Sequence, residues 1–447
     1  MEEQQPKKQR IIEDNNRMSQ LPDNLLGIIL SFLTMREAVR TSVLSTRWRY
    51  LWTTSLSNLN FDVDNMLDTK QCSVTCNNTM FSCDQLYSFR RKRMIAFLNS
   101  VHHFLLHLNS DLKVEKLKVY FSFCHDEYGS YLDQWIKFAI SRGIEELDLG
   151  LLENSFFHAP GNDELYDFPC DILLCDDGTA RGIRSSLKCL RLAYCNLAPS
   201  FLGLNTLTTL DLMGVNLKSD ENLQCLLSNC CVLEWLGLYE CKNINHLVIR
   251  HPLCHRLKYL SVCDCFNLGV IEINGIDLEK FEYNAYFTIN LLFNNVPQLK
   301  TIYSDRRRVG EGMVWTLSRL PIVLPQLETL LLPCSCYLEA GIMPERLPTF
   351  PNLKNLSIIE IARFKRELLW IATLLKASPS LQILELHLCT YDDVEEPREI
   401  RKPPMFPHDH LKEVVITGMR GYLSEIEIAI YLLNNAMTLD RMEIDPR

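Results

Sequence analysis

The sequence has 447 residues, of which 47% are hydrophobic and 23% are charged, a composition typical of a folded globular protein. Its formal net charge of −9 argues against a general nucleic-acid binder, because affinity for phosphates requires a basic field. The polar segment 1–16 contains no secretory signal, and the apolar run 25–33 is about half as long as a membrane span requires. We therefore expect no nucleic-acid or membrane partner, reduced thiols for the 18 cysteines, and a location in the cytoplasm, the nucleus or both.

Segment 18–60 predicts three short helices. Pro22 lies where a helix start tolerates proline, because the missing N–H has no intrahelical partner there. The spacing of Thr34 and Glu37 is that of a capping box, which predicts that a second helix begins at about residue 35. Ser45 is placed to cap a third helix, which we expect to extend to about Trp52.

The first of these helices is apolar over most of its circumference. Asn24, Gly27 and Ser31 form one narrow polar stripe, and almost every other residue is apolar. Three helices cannot hide so much apolar surface by themselves. The excess must therefore meet either the rest of the chain, with the helices as a terminal cap, or a partner protein.

The module resembles the F-box of plant F-box proteins at nearly every motif position, in Leu21-Pro22-Asp23, in 29–33 and in 38–52. The resemblance implies that it binds a Skp-type adaptor and, through the adaptor, a cullin. We expect Trp48 to be a buried anchor, because aromatic side chains dominate interface energetics. The residues that the resemblance assigns to adaptor binding are Leu21, Pro22, Leu25, Ile29, Leu33, Val39, Val43, Leu44 and Trp48.

From about residue 112 the sequence repeats the pattern L-x-x-L-x-L-x-x-C/N, with starts roughly 20 to 30 residues apart, as in leucine-rich repeats. In each copy two apolar residues, such as Leu190 and Leu192, are spaced to point to the same side of a short strand. We expect an α/β fold, with a three-helix F-box followed by a curved solenoid that has parallel strands on its concave face and helices or loops on its convex face. The copies begin at Val114, Ile144, Leu187, Leu207, Leu233, Leu257, Leu278, Leu327, Leu353, Leu381 and Leu411, with a degenerate copy at Leu299.

The C-terminal segment predicts a strand and turn over 410–421, a helix from a capping box at Ser424 to about Asn435, and a closing strand over 442–444. This order is similar to the FBD domain, which accompanies F-boxes and leucine-rich repeats in a large plant family. We interpret it as a cap, because the last coil of a solenoid exposes its core unless it is covered.

These features predict five regions and two insertions. The acidic or proline-rich insertions 153–180 and 391–408 are expected to be loops on one edge of the solenoid. The regions are a disordered tail over 1–17, the F-box over 18–60, a linker and helical connection over 61–111, the solenoid over 112–404 and an FBD-like cap over 405–447.

Cysteines and histidines do not predict a metal site or a cofactor. Cys195, Cys241, Cys265 and Cys389 recur at one repeat offset, which packing explains, because buried cysteine behaves as a small hydrophobe with a weak S–H donor. No C-x-x-C pair is present. The pair His103 and His107 is more typical of core or surface histidines than of metal ligands. The chain also contains none of the phosphate-loop, zinc-protease or nucleophile-elbow motifs, so we expect no enzyme.

Two basic clusters stand out, Arg90-Arg91-Lys92-Arg93 before a helix and Arg306-Arg307-Arg308 in the degenerate repeat. Each is either a solvated charge run or a site for an anionic degron, a phosphopeptide or a polyphosphate cofactor, and the first cluster is alternatively a nuclear signal. The leading hypothesis is the substrate-recognition subunit of an SCF-type (Skp, cullin, F-box) ubiquitin ligase, with a protein target bound by the repeats. The alternative is a repeat scaffold that binds a protein partner without ubiquitin transfer.

Overall fold

A computed structural model describes most of the chain in two compact units, Met1–Cys195 and Asn196–Arg447. Within the described ranges, no helix is both long enough and apolar enough to cross a bilayer. The described ranges are 21–67, 83–121, 128–151, 165–173, 186–197, 204–285, 289–305, 310–335, 347–362, 368–390, 399–401 and 405–446. The predicted tail over 1–17 lies outside them.

The first unit begins with the three predicted helices, α1 (Asp23–Ser31), α2 (Met35–Arg40) and α3 (Thr46–Ser55). The predicted capping box is confirmed, since the Glu37 N–H donates to the Thr34 hydroxyl at 3.2 Å and the Thr34 N–H donates to the Glu37 carboxylate at 3.0 Å. The Ser45 hydroxyl caps α3 by accepting from the backbone N–H of Trp48 at 3.3 Å. Local side-chain chemistry therefore determines where α2 and α3 begin.

The rest of the first unit places helices beside a parallel sheet with the strand order β1-β2-β3-β5. The sheet begins at Asn58, before the first residues at which the repeat pattern is recognisable. The elements are β1 (Asn58–Asp62), α4 (Val63–Met66), α5 (Cys83–Leu106), β2 (Lys116–Tyr120), α6 (Gly129–Ser141), β3 (Glu146–Gly150), β4 (Tyr166–Phe168) and β5 (Cys189–Ala193).

Aromatic side chains form the core of this unit and attach the three-helix module to it. The rings of Trp52 on α3 and Phe104 on α5 lie 5.1 Å apart between centroids. Phe61 on β1 contacts both Phe104, at 5.6 Å, and Trp135 on α6, at 6.4 Å. The third helix is thus buried against its own chain on one side, and that side cannot meet a partner.

The second unit contains most of the predicted repeats. Every predicted copy in this unit places its second apolar residue in a strand. The elements are β6 (Cys195–Leu197, which starts at the last residue of the first unit), β7 (Thr209–Met213), α7 (Asp220–Asn229), β8 (Trp235–Tyr239), β9 (His246–Arg250), β10 (Tyr259–Cys263), β11 (Val270–Asn274), β12 (Lys280–Asn284), β13 (Asn290–Asn294), β14 (Thr301–Asp305), α8 (Gly310–Val323), β15 (Thr329–Ser335), β16 (Asn355–Ala362), α9 (Trp370–Ala377), β17 (Ile383–Thr390), β18 (Glu413–Met419), α10 (Leu423–Asn435) and β19 (Arg441–Pro446).

The main sheet of this unit is parallel and in register from repeat to repeat. Its order is β7-β8-β10-β12-β14-β15-β16-β17-β18-β19. Leu236 pairs with Leu210 on one side and with Leu260 on the other, and all three side chains are buried. The repeat interpretation is therefore confirmed, because equivalent leucines of successive coils form one continuous core.

Three connections differ from the predicted helices and loops. Strands β9, β11 and β13 form a second parallel sheet behind the first. The buried pairs Leu247 and Ile249, and Ile271 and Ile273, alternate with half-buried or exposed residues, which is the period of a strand. The connection 264–279 is also shorter than the connection 306–328 that holds α8, so a strand fits where a helix does not.

The recurring cysteines lie directly after residues of left-handed backbone conformation. These residues are Tyr194, Glu240 and Asp264, with Gly214 at the equivalent position before Val215. The turn directs the next side chain inward, so the Sγ of Cys241 donates to the Leu212 carbonyl at 3.4 Å and that of Cys265 to the Leu238 carbonyl at 3.6 Å. Both thiols are buried, which confirms the packing interpretation. The side chain of Cys389 lies outside the described residues.

The C-terminal helix begins two residues earlier than predicted, because its N-cap is Tyr422 and not Ser424. Ser424 is not the cap, because α10 starts at Leu423 and the Ser424 side chain is buried. The carboxylate of Glu425 instead accepts from the backbone N–H groups of Arg420, Gly421 and Tyr422, at 2.8 to 3.1 Å. One side chain thereby satisfies three amides at the turn before the helix. The predicted closing strand is confirmed as β19.

Candidate functional site

The three-helix module exposes large apolar side chains. Phe32 is 83% exposed, Val43 is 87% exposed and Leu44 is 58% exposed. All three follow the ends of short helices in a module whose helices contact one another. Exposed apolar side chains of this size are typical of a protein–protein interaction site.

The predicted adaptor contacts fall into three groups. Pro22, Leu25, Val43 and Leu44 are exposed, Leu21, Ile29, Leu33 and Val39 are half-buried, and Trp48 is buried. Trp48 is 3% exposed, so its ring belongs to the core of its own chain, and its predicted contact with an adaptor would require the module to open. The adaptor role of the whole set stays a prediction.

Ile28 and Phe32 are exposed apolar residues that the motif comparison missed. Both belong to the apolar circumference of the first helix, which was the signal available in the sequence. A motif match considers only the positions that define the motif, and Ile28 and Phe32 are not among them. Helical periodicity alone cannot separate the partner-facing side of such a helix from its core-facing side.

Polar contacts within the module hold these helices together. The Arg47 guanidinium donates to the Asp23 carboxylate, at 2.7 Å from Nε, and to the Leu21 carbonyl at 2.6 Å, which ties α3 to the start of α1. The Trp52 indole N–H donates to the Ser42 hydroxyl at 3.1 Å. Hydrogen bonds from the Thr34 backbone and hydroxyl hold the pKa of Glu37 below its usual range, so the capping carboxylate stays ionised.

The outward strand positions of the first unit carry charges that neutralise one another. The Glu146 carboxylate lies 2.7 Å from the Lys116 ammonium and 3.8 Å from the Arg191 guanidinium. The Tyr120 hydroxyl donates to the Asp148 carboxylate at 2.9 Å. Little uncompensated charge therefore remains on this part of the strand face for a partner.

Several outward positions of β7, β8, β10 and β12 in the second unit carry aromatic or acidic side chains. The rings of Trp235 and Tyr259 stack with centroids 3.7 Å apart and planes 6° apart. The Tyr259 hydroxyl donates to the Glu282 carboxylate. Burial raises the pKa of Tyr259, and to about 12 that of Tyr239, so both phenols stay protonated as neutral donors.

The role of the two basic clusters as anion sites stays a prediction. Arg306, Arg307 and Arg308 lie outside the described residues. The first cluster does not precede a helix, as predicted, but lies within α5, where Arg91 and Lys92 are exposed and Arg93 is half-buried.

The paired histidines lie on the surface. His103 and His107 are exposed, with ring centroids 6.3 Å apart, and the His107 Nδ1 lies 2.7 Å from the His103 carbonyl oxygen. Across the part of the chain that the structure describes, no group of three or more histidine, cysteine, aspartate or glutamate side chains is arranged to hold a metal ion.

Comparison with known proteins matches both parts of this architecture. Residues 18–60 match the F-box domain, and residues 105–447 match the family described as At1g61320/AtMIF1, LRR domain. The F-box/FBD/LRR-repeat protein At1g13570 of Arabidopsis thaliana is 25% identical over 97% of this chain and 91% of its own length. The putative FBD-associated F-box protein At5g53635 of the same plant is 25% identical, over 96% of this chain and 95% of its own.

A further relative, F-box/LRR-repeat protein 13 of Arabidopsis thaliana, is 26% identical over 96% of this chain and 89% of its own length. These matches extend over nearly the whole chain, and the repeat family alone covers most of it. The exposed helical module and the parallel repeats described above are the two parts that such proteins combine. This chain belongs to the family of F-box/FBD/LRR-repeat proteins.

Proposed function

We propose that this protein is the substrate-recognition subunit of an SCF-type ubiquitin ligase. The F-box would bind a Skp-type adaptor, and through it a cullin, while the leucine-rich repeats bind a protein target. The observation that carries the proposal is the apolar exposure of Leu25, Ile28, Phe32, Val43 and Leu44 on a module that matches the F-box. Large apolar side chains at the surface are the anchors that a partner protein buries.

Such a subunit requires no catalytic group or cofactor of its own. Its contribution to ubiquitin transfer is to hold the target near the enzyme, and proximity alone lowers the barrier of a bimolecular reaction by several kcal/mol, roughly. Within this proposal the protein acts in the cytoplasm, the nucleus or both.

The rival proposal is a repeat scaffold in which the helical module is only an N-terminal cap. The packing of Trp52 against Phe104 favours it, because a cap must be buried against the unit that it covers. The rival proposal does not explain why Phe32 and Val43 are exposed. The two proposals therefore differ in whether an adaptor binds these side chains.

The test is calorimetric binding of a purified Skp-type adaptor to the intact protein and to a Val43→Asp, Leu44→Asp variant. Both side chains are mostly exposed, so the variant should fold, which circular dichroism checks. We expect the adaptor affinity of the variant to fall at least tenfold, roughly 1.4 kcal/mol, because two desolvated apolar contacts become charged. Trp48→Ala is a poor choice, because removing a buried tryptophan costs about 3–5 kcal/mol of stability.

The matched control is Phe266→Asp, which places a charge at an exposed aromatic residue of the second unit, 56% exposed. It should bind the adaptor like the intact protein. If the intact protein does not bind the adaptor at all, the ubiquitin-ligase proposal is wrong and the scaffold proposal is left. Equal losses in the variant and the control would also contradict an F-box interface.

A further inference from the structure

We propose that the aromatic and acidic surface formed by the outward residues of β7, β8, β10 and β12 binds a cationic, lysine- or arginine-bearing segment of the target protein. This inference rests on the proposed function, since it names the chemical class of the target that the repeats hold. The surface, called here the aromatic–acidic patch, consists of Asp211, Trp235, Tyr239, Tyr259 and Glu282, with the buried residues Gly237 and Ser261 between them.

The aromatic part of the patch is preorganised. Trp235 and Tyr259 are paired across β8 and β10 and stack at 3.7 Å, which uses one face of each ring. Both side chains are half-buried, so they remain accessible while their positions are restricted by packing. A guanidinium or ammonium group is attracted to such rings by their quadrupoles, and tryptophan is the strongest partner.

The acidic part of the patch surrounds the rings. Glu282 lies across from Ser261 and accepts the Tyr259 hydroxyl, a neutral donor that leaves the negative charge in place. Asp211 lies across from Gly237. A carboxylate beside an aromatic face provides the two contacts that an arginine makes best, an ion pair and a stack.

Gly237 permits the close approach of the remaining groups. A Cβ built on Gly237 would lie 2.7 Å from the Asp211 carboxylate oxygen and 2.7 Å from Cε2 of Tyr239. Any other residue at this position would push the carboxylate and the ring away. The absence of a side chain thus brings a second carboxylate–aromatic pair together next to the first.

The charge balance of the face favours a cation. Among the outward positions of the main-sheet strands β7, β8, β10, β12 and β14 whose side chains the structure describes, Lys280 is the only cation, while Asp211 and Glu282 are acidic. The strand face of the first unit differs, because its Glu146 is already paired with Lys116 and Arg191. Glu282 forms no ion pair within the described part of the chain, so an incoming cation need not displace one.

The test measures fluorescence anisotropy of a fluorescein-labelled (Gly-Arg)4 peptide added to the full chain, with (Gly-Gln)4 and (Gly-Glu)4 as neutral and acidic comparisons. We expect only the arginine peptide to bind. Its affinity should fall at least fivefold in Glu282→Gln and in Trp235→Leu. Tyr259→Phe should retain binding, because it keeps the ring and releases the Glu282 carboxylate from its hydrogen bond.

The matched control is Glu385→Gln, the same charge change at the equivalent outward position of β17, which should leave the peptide affinity unchanged. Equal losses in Glu282→Gln and Glu385→Gln would show a general attraction to an acidic chain and overturn the proposal, as would the absence of arginine-peptide binding. The same preparations are tested for adaptor binding. If the ligase proposal is wrong, the intact protein binds the arginine peptide but not the adaptor. If this inference is wrong, it binds the adaptor but not the arginine peptide.

Discussion

At the scale of single residues, His408 is the titratable group with the clearest consequence for stability. Its side chain is buried in the C-terminal region, with Nε2 3.2 Å from the Tyr431 hydroxyl. Burial lowers the pKa of His408 below its usual value, and the nearby Asp409 carboxylate opposes that shift only in part. The folded protein therefore favours the neutral imidazole.

We predict that His408→Gln reduces the loss of stability on mild acidification. The unfolded chain has an ordinary histidine pKa of about 6.5, so below that pH it binds a proton that the folded chain resists. Stability should decline as the pH falls through the unfolded pKa and stop declining at the lower folded pKa. The measurement is the melting temperature between about pH 7.5 and 5, and the control is the exposed neighbour, in His410→Gln. An unchanged pH slope in His408→Gln would show that another group is responsible.

Residue-level detail was the least predictable from the sequence. Glu240 and Asp264 have left-handed backbone conformations, which a glycine at these positions would have suggested more strongly than glutamate or aspartate does. Gly27 was assigned to a polar stripe, but a Cβ there would lie 3.3 Å from the Ser55 Cβ, so Gly27 marks close packing of α1 on α3. In both cases tertiary contacts decide the outcome, and a local pattern does not contain them.

At the scale of elements, a charge pair attaches the segment before the cap to the last helix. The Glu427 carboxylate on α10 is fully buried and accepts from the Arg401 backbone N–H at 2.7 Å and from the Arg401 guanidinium at 2.9 Å. Arg401 remains partly exposed. Removing Arg401 would leave the charged Glu427 carboxylate buried without a counter-ion, whereas removing the Glu427 charge would leave an arginine that still contacts water.

We predict unequal costs for removing the two partners. Arg401→Met leaves a buried carboxylate and should destabilise the C-terminal region by about 3 kcal/mol. Glu427→Gln leaves an arginine that can reach water and should cost only about 1 kcal/mol. Urea unfolding midpoints measure both values. Arg441→Met is the control, because its partner Glu443 is exposed, and it should change stability by less than about 0.5 kcal/mol. Equal costs for Arg401→Met and Glu427→Gln would contradict this assignment.

Helices and strands were predictable from the sequence where their apolar residues recur at a regular spacing. The leucines of β7, β8 and β10 recur at a fixed offset, so the main sheet followed from the sequence alone. The second sheet did not, although Leu247 and Ile249 alternate as in a strand, because five residues between turns are too few to separate a strand from a loop. The start of α10 was wrong by two residues because the Glu425 carboxylate binds the preceding turn from inside the helix.

At the scale of the whole molecule, the two proposed binding surfaces belong to different compact units. The exposed side chains of the F-box lie in the first unit, whose core is formed by Phe61, Phe97 and Trp135. The aromatic–acidic patch lies in the second unit, whose core is the stack of repeat leucines. Each surface is supported by its own core, so neither should need the other to be occupied in order to fold.

The architecture was predictable from the sequence, and the surfaces were only partly so. Motif spacing identified the F-box and the repeats, and these follow from which side chains are apolar. The exposure of an apolar side chain depends on whether its face of the helix packs against the rest of the chain. Trp48 is therefore buried and Phe32 is exposed, although both are apolar. The aromatic–acidic patch requires residues from four strands to be in register, which no single repeat reveals.

We predict that the two binding activities can be removed independently. Val43→Asp with Leu44→Asp should lower the adaptor affinity at least tenfold, as above, and change the arginine-peptide affinity by less than about twofold, which is about 0.4 kcal/mol, because the altered residues lie outside the second unit. Glu282→Gln should do the opposite. Measuring both affinities on each variant, with the combined variant as a third, tests this directly. If either single variant loses both activities, the surfaces are coupled, and the division of labour between the units proposed here is wrong.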